Sequence, residues 1–370
     1  MCTCTVIKSN MRFNMKFKTT LTTLACAVFA CTAFASTANA TKIGVSMPTQ
    51  SLQRWNQDGH NLKDQLEAAG YKVELLYAGD NDIPTQVSQI ENLVSANCDV
   101  LVVAPIDGGA LTTALAGAKD KGIPVVSYDR LIMNSDAISY YATFDNYKVG
   151  QIQGNYLVDA LKLKDANTKP KNIEFFTGSI DDNNVNFFFG GAMDILKPYL
   201  ESGKLVCKSG QTEKAQVATL NWSTEEAQKR MENLISSNGY GPEGTPLDAI
   251  LSSNDSVANG ITNALTAAGY NKDNFPVLTG QDCDKPSVKN MKRGLQTMSV
   301  FKDTRLLADQ VVKMVTAIVN KTEVPVNDTK TYDNGTGIIP SYLCTPIVVT
   351  KDNLKEVLID SGYYTEKEVK

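Results

Sequence analysis

Histidine is almost missing from this chain: His60 is the only one in 370 residues. A catalytic triad or a histidine-based metal centre would rest on that single ring. No cysteine or acidic ligand pattern flanks it, so His60 reads as a helix-surface residue. Long apolar runs are missing too, since no stretch approaches the roughly 20 apolar residues that a membrane span requires. The signatures of the common α/β enzymes are absent: no G-x-x-x-x-G-K-[ST], no G-x-G-x-x-G after the first strand, no G-x-S-x-G and no H-E-x-x-H. Carboxylate pairs do occur, which leaves a glycosidase as the enzymatic alternative, although that chemistry usually sits in barrels or larger clefts.

Residues 1–40 differ from the rest. Lys8, Arg12, Lys16 and Lys18 stand there without an acid, followed by an apolar, small-residue run from Leu21 to Phe34 and the ending Ala38-Asn39-Ala40. A basic region, a short apolar region and an Ala-x-Ala end predict a secretory signal peptide cut after Ala40, with Met11 or Met15 as alternative starts. Cys26 and Cys31 lack the Leu three residues upstream that a lipoprotein site wants, so a lipid anchor is the weaker reading. The formal charge of −4 becomes −8 on cleavage, because four of the 36 Lys+Arg are lost and none of the 40 Asp+Glu. An acidic exported protein is a poor nucleic-acid binder. Cys98, Cys207, Cys283 and Cys344 remain, too far apart for C-x-x-C zinc pairs; they read as buried small residues, with one disulfide as the alternative.

From Lys42 onward, β-branched runs alternate with amphipathic stretches. Strands are predicted at Lys42–Met47, Lys72–Tyr77, Asp99–Ala104, Pro124–Tyr128 and Ile138–Phe144, with helices between the first four of them. The alternation restarts after Asn146, with strands at Asn172–Thr177, Lys204–Lys208, Ala249–Ser252 and Val277–Thr279. A last part supplies strands Gln296–Phe301 and Tyr342–Val349, the long helix Thr304–Asn320 and a terminal helix Asp352–Ser361. The fold class is α/β: two doubly wound, parallel-sheet, Rossmann-like domains.

Ligands of open α/β sheets collect at the carboxyl ends of strands. Those positions carry Gln53-Arg54-Trp55, Asp107, Asp129-Arg130, Asp181–Asn186, Asn254-Asp255, Gln281-Asp282 and Lys302. Asp181–Asn186 runs directly into Phe187-Phe188-Phe189. Carboxylates and amides suit the hydroxyl edge of a sugar ring, and aromatic rings suit its C–H faces. Each position also has a plainer reading: Asn254-Asp255 as a helix cap, Arg130 paired with Asp129 or Asp107, Trp55 as core, Trp222 as a staple before the cap Ser223. A calcium loop starting at Asp181 would place Asn186 where Gly is wanted and Ala192 where a bidentate Glu is wanted, which argues against calcium.

In these residues the chain closely resembles the periplasmic sugar-binding proteins of ABC transporters, above all the multiple-monosaccharide and D-xylose receptors. The resemblance is carried by Arg54-Trp55, Gln89-Ile90-Glu91-Asn92, Val102–Gly108, Ser127–Arg130, Tyr141–Asn146, Asp182-Asn183-Asn184, part of Gly191–Lys204, Ser253-Asn254-Asp255, Gly280-Gln281-Asp282, Phe301-Lys302 and Asn327–Tyr332. It implies a type I periplasmic binding protein with a three-segment hinge near Phe144–Asn146, Gln281–Asp284 and Phe301–Asp303. The lobes would be residues 42–145 plus 283–301 and residues 146–282 plus 302–370. Arg54 and Trp55 would meet a monosaccharide from the first lobe, with Asp107 and Arg130 behind them, and Asp182, Asn184, Asn254, Asp282 and Lys302 would hold its oxygens. Trp222 or one of Phe187–Phe189 would stack on a sugar face. The resemblance further implies a periplasmic monomer without cofactor or metal, delivering an aldopyranose such as xylose, glucose, galactose or arabinose to a permease and its ATPase. The alternative is a receptor for the same sugars read mainly by a chemoreceptor or sensor kinase, or a receptor for another small polar solute. A sugar-responsive repressor shares this core but would begin with a helix-turn-helix and carry basic DNA-binding residues. An amino-acid receptor would need paired Arg and acid groups for the zwitterion.

Overall fold

Val100–Val103 is buried along its whole length, and its side chains alternate between two apolar clusters: Val100 and Val102 in one, Leu101 and Val103 in the other. A strand covered on both faces by helices takes this form. A computed structural model describes residues 40–370, and the expected signal peptide lies outside the described residues. The first part runs β1 (Lys42–Met47), α1 (Gln53–Ala68), β2 (Lys72–Tyr77), α2 (Ile83–Ser95), β3 (Val100–Val103), α3 (Thr112–Asp120), β4 (Val125–Tyr128) and β5 (Ile138–Phe144). The chain continues through α4 (Asn146–Ala160), β6 (Lys171–Phe176), α5 (Asn184–Glu201), β7 (Leu205–Val206), α6 (Thr224–Asn238), β8 (Ala249–Ser252) and α7 (Asp255–Ala267). It ends with β9 (Val277–Leu278), α8 (Lys285–Arg293), β10 (Met298–Phe301), α9 (Thr304–Asn320), β11 (Ser341–Cys344), β12 (Ile347–Thr350) and a π-helical segment Lys355–Asp360.

Two sheets organise these elements. The first is all parallel, in the order β11-β5-β4-β3-β1-β2. Leu62 and Leu66 of α1 and Leu307 to Val315 of α9 cover one face; α2 and α3 cover the other through Ile90, Leu93, Ala114 and Leu115. The second is parallel in the order β7-β6-β8-β9 and reaches the antiparallel pair β10-β12 through a bridge between Gln281 and Val300. Ile250 of β8 faces α6 and α7, whereas Ala249 and Leu251 face α4 and α5. The helices α4 and α5 touch backbone to backbone. A Cβ at Gly150 would lie 2.1 Å from the Phe188 carbonyl oxygen, and one at Gly191 would lie 2.3 Å from that of Tyr147.

Three expectations need correction. The stretch 342–349 is not one strand: Pro346, which lacks an N–H and restricts the residue before it, separates β11 in the first sheet from β12 in the second. The lobe boundaries change accordingly. The strand β10 belongs with the second sheet, and α9 and β11 belong with the first, so residues 283–301 and 302–370 are not divided as predicted. The chain therefore passes between lobes after β5, between β10 and α9, and between β11 and β12; Gln281–Asp284 lies inside the second lobe. Asp145 and Asp303 sit at two of these passages and cap α4 and α9, accepting from the N–H groups of Lys148 and Arg305. All four cysteines of the described residues are free thiols, three buried and Cys207 half-buried.

Candidate functional site

The carboxyl ends of β1, β4, β6, β8, β9 and β10 converge on a cavity between the lobes. Arg54 and Trp55 enter from the first turn of α1, Asp129-Arg130 from the end of β4, and Asp182 and Asn184 from the start of α5. Asn254 comes from the cap of α7, Asp282 from beyond β9, and Lys302 from the passage after β10. Trp222 arrives on a turn where Asn221 and Trp222 both take left-handed backbone, with φ of 54° and 56°. Its ring lies over Gly178, where a Cβ would come within 2.1 Å of it, so only glycine fits beneath.

Nine of the ten residues named from the sequence thus share one cavity. Asp107 does not line it: its Oδ1 accepts from the Gly109 N–H at 2.7 Å, closing its own turn. Asn254 fills both roles weighed for it, capping α7 through the Val257 N–H at 3.0 Å while facing the cavity. Arg130 pairs neither with Asp129 nor with Asp107; its Nε lies 3.0 Å from Asp182 across the cleft. Leu52, Asp129, Phe188, Ser256 and Gln281 complete the lining, and Asp58 stands behind it. Asp58 was legible as the residue one helical turn beyond Arg54, on the same face.

The charged groups form one network. The Arg54 guanidinium donates from Nε to Asp58 at 2.7 Å, from Nη1 to Asp282 at 2.8 Å and from Nη2 to Asp129 at 2.6 Å. The Lys302 ammonium lies 3.2 Å from Asp282 and 3.8 Å from Asp129, with only 3 % of its side chain exposed. Burial alone would push the Arg54 pKa down, but Asp129, Asp58 and Asp282 hold the guanidinium charged and raise it. Burial likewise works against the Asp129 carboxylate, and Arg54, Lys302 and Arg130 together overcome it and lower its pKa. At Asp58 burial wins over Arg54, and its pKa rises to about 6.

Backbone conformation aims these groups. Asp129 takes φ 57°, and its carbonyl oxygen accepts from the Tyr141 hydroxyl at 2.6 Å, the Thr143 hydroxyl at 2.8 Å and the Asn184 Nδ2 at 2.8 Å. The last bond crosses from the second lobe to the first, as do Arg54–Asp282, Arg130–Asp182 and the Gly108 N–H to the Asp181 carbonyl at 3.3 Å. Aromatic surface completes the lining. Trp55 lies 5.0 Å beneath the Arg130 guanidinium, Phe188 meets Trp222 edge-on with ring centroids 6.2 Å apart, and the Lys302 ammonium sits 5.4 Å from the Phe188 ring centre. No group of three or more metal-ligating side chains occurs among the described residues, and no described helix is long and apolar enough to cross a membrane.

Comparison with known proteins gives this geometry a family. The chain is 50% identical over 330 residues to a multiple sugar-binding periplasmic protein of Azospirillum brasilense, covering 89% of this chain and 91% of that one. It is 37% identical over 355 residues to the D-xylose-binding periplasmic protein of Escherichia coli, covering 96% and 100%. A crystal structure of an ABC transporter solute-binding protein from Clostridium phytofermentans with bound β-D-glucose superposes with a TM-score of 0.86. That protein is 60% identical, and the match covers 89% of this chain and all of that one. A family model for the periplasmic binding protein domain matches residues 43–323. The chain belongs to the periplasmic binding protein family, with its type I fold.

Proposed function

We propose that this protein is an extracytoplasmic receptor that binds an aldopyranose between its lobes and delivers it to an ABC importer. One observation carries the reading: charged hydrogen-bonding groups from both lobes and three aromatic rings line a single cavity. Asp282, Asp182 and Asp129 accept from sugar hydroxyls, while Arg54, Arg130 and Lys302 donate to hydroxyl and ring oxygens. Bonds to charged partners inside a cleft that excludes water are the strong ones. Trp55, Phe188 and Trp222 cover the C–H faces. The cations and anions of the lining nearly cancel, which suits an uncharged polyol. The relatives named above, with sugar receptors among them, support the same reading. The chemistry is reversible binding, with closure acting as a population shift driven by contacts to both lobes.

The test is titration calorimetry of residues 41–370 with D-xylose, D-glucose, D-galactose and L-arabinose, repeated on Asp282→Asn with folding checked by circular dichroism. Saturable heat with one or more sugars, weakened at least about tenfold in the folded variant, is the expected result. Absence of heat with all four in folded protein overturns the proposal.

A further inference from the structure

The cleft continues past the cavity described above. A second, partly open chamber adjoins it, and the two share Leu52, Trp55, Arg130 and Trp222 as their common wall. Both tryptophans of the chain therefore stand where one chamber passes into the other. Asp80, Asp181 and Asn221 bring polar side chains into the second chamber from loops of both lobes. The Thr49 and Ser51 hydroxyls both donate to Asp80 Oδ1, which fixes that carboxylate and leaves Oδ2 free to accept. Among the described residues, the Asp181 carboxylate and the Asn221 amide take no hydrogen-bond partner, and the Asp181 backbone oxygen is the one that crosses to Gly108. Arg130 spends Nη1 on the carbonyls of Pro105 and Ile106 at 3.2 and 3.0 Å and holds Nε beside Asp182. Its Nη2 remains as a donor at the passage.

Acceptors on both sides of one donor, between aromatic rings, describe a ligand with many hydroxyls and no net charge. An anionic extension would meet Asp80 and Asp181, and a cationic one would have to pass Arg130. We propose that the outer chamber is a second sugar subsite and that the receptor takes a disaccharide. Its inner ring occupies the cavity of Arg54, Asp282 and Lys302, its outer ring lies among Asp80, Asp181 and Asn221, and the linking oxygen passes Arg130 between the tryptophans. This rests on the inner cavity being a monosaccharide site, so both ligand sizes belong in one experiment.

Calorimetry of residues 41–370 would compare D-glucose and D-xylose with their methyl glycosides, cellobiose, maltose and xylobiose, on wild type and on Asp181→Ala/Asn221→Gly. Glycine keeps the left-handed backbone at position 221 accessible, and both side chains lie outside the inner cavity. The expected result is a disaccharide bound within about tenfold of its monosaccharide and weakened roughly tenfold by the double variant, while the monosaccharide changes by no more than about twofold. A disaccharide that binds when no monosaccharide does also supports the second subsite while removing the monosaccharide reading. Monosaccharide binding with every disaccharide more than about a hundredfold weaker overturns the subsite and leaves the outer chamber as a solvent path. Equal weakening of both ligand sizes by the double variant overturns it as well, and so does the absence of binding by any of these sugars.

Discussion

Lys302 and Asp282 are the residues on which the inner cavity's chemistry turns. Each is buried, and each pairs with groups from the other lobe, so the cost of desolvating them is offset only while the network is complete. Lys302→Met keeps the length of the side chain and removes its charge; sugar affinity should fall at least about tenfold in calorimetry while the protein still folds. Behind this network, Asp255 and Asp284 form a buried acidic pair. Asp255 accepts from Gln296, Ser299 and the Asp284 N–H. Burial, and then the neighbouring Asp282, raise the pKa of Asp284 to about 7. A carboxyl whose folded pKa lies above its unfolded value of about 4 holds its proton more tightly when folded. Its contribution to stability is full below pH ~4 and is lost as pH rises through ~7. Asp284→Asn should therefore gain stability over wild type between these pH values, by on the order of 1–4 kcal/mol at pH 8 and little at pH 4, as read by denaturant unfolding. A difference independent of pH would contradict this assignment. At this scale the sequence was informative where a residue's chemistry is also its role: Arg54, Asp182 and Lys302 were legible as polar groups at strand ends. Asp107 was misread because an acid after a strand serves a local turn as readily as a ligand. The convergence of Tyr141, Thr143 and Asn184 on one carbonyl oxygen depends on contacts up to 55 residues apart, and no local pattern announces it.

Among the elements, α5 matters most to the site, because its first turn carries Asn184 and its second carries Phe188. Its position is set by glycine contacts with α4. Gly150→Ala would drive a methyl group into the Phe188 carbonyl, and no flexible side chain is there to yield. The expected cost is about 1–3 kcal/mol in chemical unfolding, with sugar affinity reduced because α5 is pushed from the cleft. The strands and helices of the first sheet were readable because period and composition agree there: a continuous apolar run for β3, and a proline at the start of α2 after the cap Asp82. The break within 342–349 was masked by apolar residues on both sides of Pro346. Only its pairing, β11 beside β5 and β12 beside β10, shows that the chain changes sheets there.

For the molecule as a whole, three passages join the lobes, and several polar contacts hold them together across the cleft. The alternation of strands and helices predicted two doubly wound lobes. The assignment of the last ninety residues between them was not legible, because that depends on which sheet edge each late strand joins. Asn184 ties the lobes directly through Asp129 and Tyr141. Removing that tie in Asn184→Ala should shift the population toward open forms. In small-angle scattering without sugar, the variant should show a larger radius of gyration than wild type, and saturating sugar should bring the two together. Equal radii without sugar would mean that Asn184 does not contribute to closure.

The central claim, that a sugar is held in this cleft, has an internal reporter, since Trp55 and Trp222 are the only tryptophans and both line the cavity. The most direct measurement is the intrinsic fluorescence of residues 41–370 during titration with D-glucose and D-xylose, with Trp222→Phe as the companion. A saturable change in emission with at least one sugar, reduced in the variant and matching the calorimetric affinity, is the predicted result. Calorimetric binding with no change in emission would place the sugar away from both rings and contradict the account.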